Sequence, residues 1–313
     1  MRHVRMLVTS MAVILGVCAA CAGVAFANEG PRDSQHEWER LFGDCPLQGT
    51  IQFEGREEGL SACNYGDAGP ESFFQAGKVT VHFVKPVILR SGEAEPVGDE
   101  NFVIGARDGN TISKEAEPSP LSLTELINPE LLPEPEKQRY EEYIAAGKST
   151  KVTETTELAE PGTDIGLNEL SLLAEEEYNG KSAFTFPVEI RIGNPFLGKS
   201  CLDGNNQQPI VVPFVTSETH PPAPNTPIHG QTGELVSNNE GNIIRIGTKT
   251  RETILVNNSF AAPGVNGCGT DGRADGALDA GLGLPSPAGT NTTELIGSLY
   301  QAGAEAVREH IMP

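Results

Sequence analysis

The clearest alternation of apolar and polar residues runs from Phe184 to Ile192, where every even position is apolar and most odd positions are polar. Successive side chains of a β-strand point to opposite faces, so this pattern predicts a strand with one face in a core and the other in water. The stretch Gln208–Thr216 is apolar at even and odd positions alike. It predicts a second strand that is apolar on both faces and therefore more buried than the first.

A shorter alternation at Val79–Phe83 changes phase near Pro86 and resumes at Val87–Leu89. Because proline cannot donate a hydrogen bond to a strand ladder, the sequence predicts one strand with a bulge or an edge position at Pro86. Three further strands are predicted at Asn101–Ile104, Asn242–Gly247 and Thr253–Val256. The proline-rich run from His220 to Pro227 predicts an extended surface loop, since its prolines cannot join a ladder.

Two segments carry helical patterns. The first is Glu134–Ala146, with Pro135 in its first turn and Gly147 just beyond its end. Its predicted buried face carries Tyr140, Tyr143 and Ile144.

The second predicted helix runs from about Thr292 to His310, with Asn291 as its N-cap and Glu294 placed to complete a capping box. Apolar residues recur along it at helical spacing, and these would form its buried face: Leu295, Ile296, Leu299, Tyr300 and Val307.

The composition supports the strand assignments, because 35 glycines, 23 prolines and only 6% aromatic residues are typical of a turn-rich β protein. The predicted fold class is mainly β and β-sandwich-like, with short peripheral helices. We divide the chain into a signal peptide at 1–27, a flexible leader at 28–43 and a single β-rich domain at 44–313. An acidic, partly helical insertion occupies roughly 93–147 of that domain.

The first residues have the layout of a cleaved export signal. A basic start at Met1–Arg5 precedes an apolar stretch at Met6–Phe26, which ends in the A-x-A site Ala25-Phe26-Ala27. Cleavage after Ala27 would release a secreted chain, either extracellular or associated with the cell wall. Two alternatives remain: an uncleaved membrane anchor, and a lipoprotein processed at Cys21.

The net charge of the chain is −21, and the predicted signal peptide holds two arginines and no acid, so the mature chain is more acidic still. Such a surface repels the phosphates of nucleic acids and of anionic lipids, and neither is a predicted partner. The favoured interpretation is that the acidity only keeps an exported protein soluble. No later run is apolar enough to span a bilayer, so no membrane span is predicted in the mature chain.

Four cysteines follow the signal region, and an even number in an exported chain predicts two disulfides with three possible pairings. We favour Cys45–Cys63 and Cys201–Cys268, because each pair is local to one end of the chain. The spacings contain no C-x-x-C motif, so a zinc or redox site is not predicted.

Six motifs are distinctive when they are taken together: Phe42–Pro46, Val87–Leu89, Val188–Cys201, Val256–Gly264, Gly267-Cys268-Gly269 and Gly283–Asn291. With these motifs the chain resembles a family of uncharacterised secreted actinobacterial proteins. That family has no assigned activity. The resemblance therefore implies secretion and the cysteine pattern, and it supplies no catalytic residue.

The candidates for catalysis and metal binding fail on their spacing. A calcium loop starting at Asp271 would place Arg273 and Leu282 at ligand positions, and neither can bind the ion. Ser286 lacks the two flanking glycines of a nucleophile elbow. The five histidines after the signal region form no metal or triad pattern: His36, His82, His220, His229 and His310.

We therefore predict no catalytic residues, no metal site and no cofactor. The predicted function is that of a secreted, non-enzymatic binding or structural module, and the alternative is a secreted hydrolase of unrecognised type. The partner is not identified by the sequence, and a cell-wall or extracellular component is the expected kind.

Overall fold

The computed structural model describes residues 31–53, 56–97, 100–159, 165–167, 181–236 and 247–311. The predicted signal peptide lies outside the described residues, and so does nearly all of the strand predicted at Asn242–Gly247.

Within the described ranges, sixteen strands make up most of the regular structure. They are β1 (Thr50–Phe53), β2 (Arg56–Ala68), β3 (Phe73–Ala76), β4 (Val79–His82), β5 (Val87–Val97), β6 (Glu100–Gly105), β7 (Glu117–Pro118), β8 (Thr153–Leu158), β9 (Gly166–Leu167), β10 (Phe184–Gly193), β11 (Leu202–Asp203), β12 (Ile210–Phe214), β13 (Glu234–Val236), β14 (Gly247–Asn257), β15 (Val265–Asn266) and β16 (Thr292–Gly303).

The helices are short and lie at the periphery of the strands. Those among the described residues are α1 (Pro31–Phe42), α2 (Leu123–Leu126), α3 (Glu134–Ala145), α4 (Asp275–Leu282), α5 (Ala304–Ile311) and one 3₁₀ turn at Pro129–Leu131. Helix α3 confirms the prediction at 134–146: Tyr140 and Tyr143 are buried, and Ile144 packs partly buried against the core.

The strands form two facing layers, and every pairing between the described strands is antiparallel. One layer has β14, β16, β2 and β5 side by side, and the other centres on β10 with β8 and β12 beside it. Strand β9 joins the layers along one edge, because it pairs with both β6 and β10. Along the other edge, Val215 and Val256 exchange two backbone hydrogen bonds of 3.0 and 2.9 Å. The fold is therefore mainly β and sandwich-like, as predicted.

Strand β10 confirms the clearest sequence pattern. The side chains at its even positions, from Phe184 to Ile192, are all buried in the main core. The opposite face is less wet than predicted, because Pro187 and Glu189 are also buried. Arg191 forms two hydrogen bonds from this face to Glu157 on the neighbouring strand, at 2.8 and 3.0 Å.

The helix predicted from Thr292 to His310 is wrong over most of its length. Residues Thr292–Gly303 form β16, a strand paired on both sides, and only Ala304–Ile311 is helical. Asn291 does not cap a helix: it is fully buried, its Oδ1 accepts hydrogen bonds from the Gly77 amide and the Ser286 hydroxyl, and its Nδ2 donates to Phe260. Two neighbouring strands bind the backbone of this segment, and their pairing outweighs its local helical spacing.

The segment predicted to be a flexible leader is also different. It forms α1, and Trp38, Leu41 and Phe42 are buried in a second core cluster together with residues of α5. The Trp38 ring stacks on His310 with their centroids 4.6 Å apart. The N-terminal helix is therefore part of the domain.

Two strand predictions need smaller corrections. The chain does not continue as one bulged strand through Pro86, because β4 ends at His82 and β5 begins at Val87. Strand β12 is not buried on both faces, because the Val211 side chain is 46% exposed while Val212 is buried. The loop from His220 to Pro227 contains no strand, as predicted.

Both disulfides have the favoured pairing, with Cys45 bonded to Cys63 and Cys201 bonded to Cys268. The second bond lies where two glycine-rich turns meet. Gly267 has a φ of +72°, and a Cβ there would stand 2.5 Å from the Ser200 carbonyl oxygen, so this approach requires glycine. In the part of the chain that the structure describes, no helix combines the length and the apolar character needed to cross a bilayer.

Candidate ligand-binding site

A cavity of about 110 Å³ lies between the two layers of strands. Strands of both layers supply its wall, and nearly all of the surface that the wall presents to the cavity is apolar. Five of the lining residues are polar: Asp67, Thr156, Thr253, Thr293 and Ser298. The apolar members include Phe74, Leu89, Phe184, Phe186, Val188, Val212, Phe214, Leu255, Leu295 and Leu299. The inward positions of β10 and β16 thus surround an unfilled space in the middle of the main core.

Aromatic rings form much of the wall on the β10 side. Phe184 and Phe186 stack with their centroids 5.3 Å apart, and Phe186 meets Phe214 edge to face at 6.0 Å. Phe74 reaches the cavity from the other layer and packs on Phe260 at 5.2 Å. These contacts fix the rings in place, so the wall is preformed for an apolar guest.

Two smaller hollows of about 20 Å³ each lie next to this cavity. Phe74 lines all three spaces, and Glu154 lines both of the smaller ones. One small hollow is also lined by Asp203, and the other by Lys85, Glu115 and Glu117. Charged groups are thus concentrated at this end of the hollow interior.

The strand register explains how two acids come to face the interior. Ile190, an inward residue of β10, lies opposite Thr156 on one side and Asp203 on the other. Ile192 lies opposite Glu154 in the same way. Residues directly opposite each other point to the same face of a sheet, so Glu154 and Asp203 share the inner face with the isoleucines between them.

Asp203 is in an unusual environment for a carboxyl group. It is 3% exposed, and its Oδ1 has no hydrogen-bond partner among the described residues. Burial raises its pKa to about 8, and the nearby Asp279 and Glu154 carboxyls act in the same direction. The group is therefore mostly an uncharged acid at neutral pH.

Burial also raises the pKa of Glu154, while a hydrogen bond with Ser119 opposes the change. Glu154 is half-buried, and it lines both small hollows. Neither acid is predicted by the sequence as a site residue. The sequence signals for an inward position are weak. Glu154 is two residues before Thr156, as on one face of a strand, and Asp203 is two residues after the paired Cys201.

The rejected candidates have structural roles. Asp275 accepts hydrogen bonds from the Gly267 and Cys268 amides, and Asp279 accepts one from Val265, so both acids tie α4 to the turn before it. The Ser286 hydroxyl is buried and donates to the Asn291 side chain, which is an amide and not a base. Among the described residues, no group of three or more potential ligands is arranged to hold a metal ion.

The comparisons with protein-family models, with curated proteins and with solved structures find no match to this chain. The resemblance of its motifs to a secreted actinobacterial family stays a prediction. The cavity and its wall are therefore the features that point to a function.

Proposed function

We propose that this chain is a secreted, non-enzymatic binding protein that holds an apolar small molecule in the cavity between its two layers. The observation that carries the proposal is the position of the cavity: it occupies the middle of the main core and is walled by both layers. At roughly 24 cal/mol per Å³, an empty space of this size costs on the order of 2–3 kcal/mol of folding free energy.

Water is a poor occupant for this cavity. The volume is well above the roughly 10–15 Å³ that one water molecule needs, but a water also needs two or more polar partners, and nearly all of the surface facing the cavity is apolar. Apolar cavities of this kind stay dry and accept apolar guests. An apolar ligand would restore the dispersion contacts that the wall lacks.

The binding test uses N-phenyl-1-naphthylamine, a neutral dye that fluoresces in apolar surroundings. We expect the protein to bind it with a measurable dissociation constant. We expect Val212→Trp, which places an indole in the cavity, to weaken binding by about tenfold or more, the equivalent of about 1.4 kcal/mol. Fluorescence titration measures both values.

Val211→Trp is the matched control. Val211 is next to Val212 on β12 but points outward, so the same substitution there should leave the dissociation constant unchanged. Thermal unfolding of both variants checks that each is folded. If both variants bind the dye as the wild type does, the dye is not in this cavity and the proposal is wrong.

Secretion is the second part of the proposal. Two disulfides suit an oxidising compartment, and the A-x-A site at Ala25-Phe26-Ala27 suits signal peptidase. We expect the exported protein to begin at Asn28, which the intact mass would establish. A mass that corresponds to a chain starting at a lipid-modified Cys21 would replace this proposal with the lipoprotein route.

A further inference from the structure

One of the two small hollows beside the main cavity is lined by Asp203, a buried acid that, within the described part of the chain, lacks a hydrogen-bond partner at one of its oxygens. Asp203 lies on the inner face of the sheet, borders the hollow and leaves its Oδ1 without a hydrogen-bond partner among the described residues. An unpaired buried polar atom normally costs about 1–3 kcal/mol, so such an atom calls for an explanation. A ligand oxygen that enters the hollow would provide the missing partner.

The charged groups around Asp203 come from two directions. Glu154 faces it from β8 across Ile190 and Ile192, and Asp279 approaches from α4, where Asp275 acts on Asp279 in turn. Beyond Glu154, the other small hollow is lined by Lys85, which pairs with Glu115 at the exposed end. No salt bridge within the described ranges includes Asp203.

We propose, on the basis of the binding function above, that Asp203 recognises the polar end of the ligand by donating a hydrogen bond to an uncharged carbonyl or ester oxygen. The ligand class is a neutral amphiphile whose hydrocarbon part fills the apolar cavity. Phe74 lines both spaces, so in this proposal the hydrocarbon part and the polar end of the ligand lie on either side of this ring.

The state of the acid favours an uncharged ligand over a cationic one. Asp203 keeps its proton to about pH 8 because it is buried, and a protonated carboxyl is a hydrogen-bond donor. An ammonium group would have to lose its water shell and ionise the acid, and the desolvation of a buried ion costs several kcal/mol. A neutral oxygen needs neither step.

The experiment compares three competitors for the bound dye at neutral pH: methyl decanoate, tridecane and dodecylamine. They have equal numbers of non-hydrogen atoms and differ in the polar end. We expect the ester to bind about fivefold more tightly than the hydrocarbon, as a single neutral hydrogen bond allows. Asp203→Leu should remove this preference and leave the affinity for tridecane unchanged.

Asp203→Asn keeps a donor that does not titrate. We expect the ester preference of the wild type to disappear as the pH rises past about 8, and that of Asp203→Asn to persist. This comparison also serves if Asp203→Leu does not fold. Glu157→Gln, on the outer face of β8, is the control and should behave as the wild type.

The outcomes separate the two proposals. If the dye and all three competitors fail to bind, the binding function is wrong and this inference falls with it. If they bind and the wild type does not prefer the ester, or if Asp203→Leu retains the preference, the cavity binds ligands but Asp203 does not select them. Tightest binding by dodecylamine would show a site for cations and would also overturn the inference.

Discussion

Replacing Cys201 and Cys268 together with alanine is expected to lower the free energy of unfolding by about 4 kcal/mol. The bond between them closes a loop with a sequence separation of 67, and this loop includes β12, β13, β14 and the proline-rich run at 220–227. Without the bond, the unfolded chain regains the entropy of that long loop. A loss of this size is a large fraction of the stability of an ordinary domain. Urea unfolding, followed by circular dichroism, measures it.

The matched control replaces Cys45 and Cys63 with alanine. Their sequence separation is only 18, so the same chain-entropy argument gives about 3 kcal/mol. Alanine leaves no free thiol in either variant, and the removed sulfurs are buried in both cases. A larger loss for the shorter loop would mean that local packing, and not loop entropy, sets the contribution of these bonds.

The sequence correctly predicts those elements whose apolar pattern fits a single type of secondary structure. Strand β10 alternates over nine residues, and the inward positions from Phe184 to Ile192 are those that the alternation selects. Helix α3 is predicted for a similar reason, since Pro135 and Gly147 mark its two ends. In both cases the local pattern and the tertiary contacts agree.

Strand β16 shows where one pattern supports two structures. Leu295 and Leu299 are four residues apart, a spacing that fits a helix face and also fits every second residue of a strand. The odd positions of β16 from Thr293 to Leu299 line the cavity together with Ser298, and this mainly alternating pattern is that of a strand. In the fold, the backbone of β16 at Gly297 lies directly against β2. A Cβ at this position would lie 1.7 Å from the Asp67 carbonyl oxygen, so the pairing of the two strands requires glycine here. A contact between segments so far apart in the sequence cannot be predicted from the local pattern of apolar residues.

Helix α1 was predicted to be a loose leader because charged residues dominate its sequence. The spacing of Trp38, Leu41 and Phe42 was the available indication of one buried helical face. The cavity itself could not be predicted, because an unfilled core has the same sequence pattern as a filled one. The inward position of Glu154 could not be predicted either, because Thr153–Leu158 is mostly polar and its sequence does not indicate which face of the strand is buried.

The buried acid makes stability depend on pH in a direction opposite to that of most carboxyl groups. In the unfolded chain Asp203 titrates near its ordinary value of 3.8, whereas burial in the fold raises its pKa to about 8. Below about 3.8 both states hold the proton, and the contribution of Asp203 to stability is fully present. Between these two values only the folded state holds it, so stability falls by about 1.36 kcal/mol per pH unit. Above about 8 both states have released the proton, and the loss stops.

We therefore expect the wild type to lose stability relative to Asp203→Asn as the pH rises from 4 to 8, by at most about 5 kcal/mol. The asparagine variant cannot titrate at this position, so the difference between the two proteins isolates Asp203 from the many other acids.

Glu157→Gln provides a control of opposite sign. The hydrogen bonds from Arg191 lower the pKa of Glu157 below 4.5, so its contribution is present above that pH and is lost as the pH falls. Urea unfolding of the three proteins at a series of pH values tests both signs. An equal difference between wild type and Asp203→Asn at pH 5 and pH 8 would mean that Asp203 ionises normally in the fold, and that it has no proton to donate to a ligand at neutral pH.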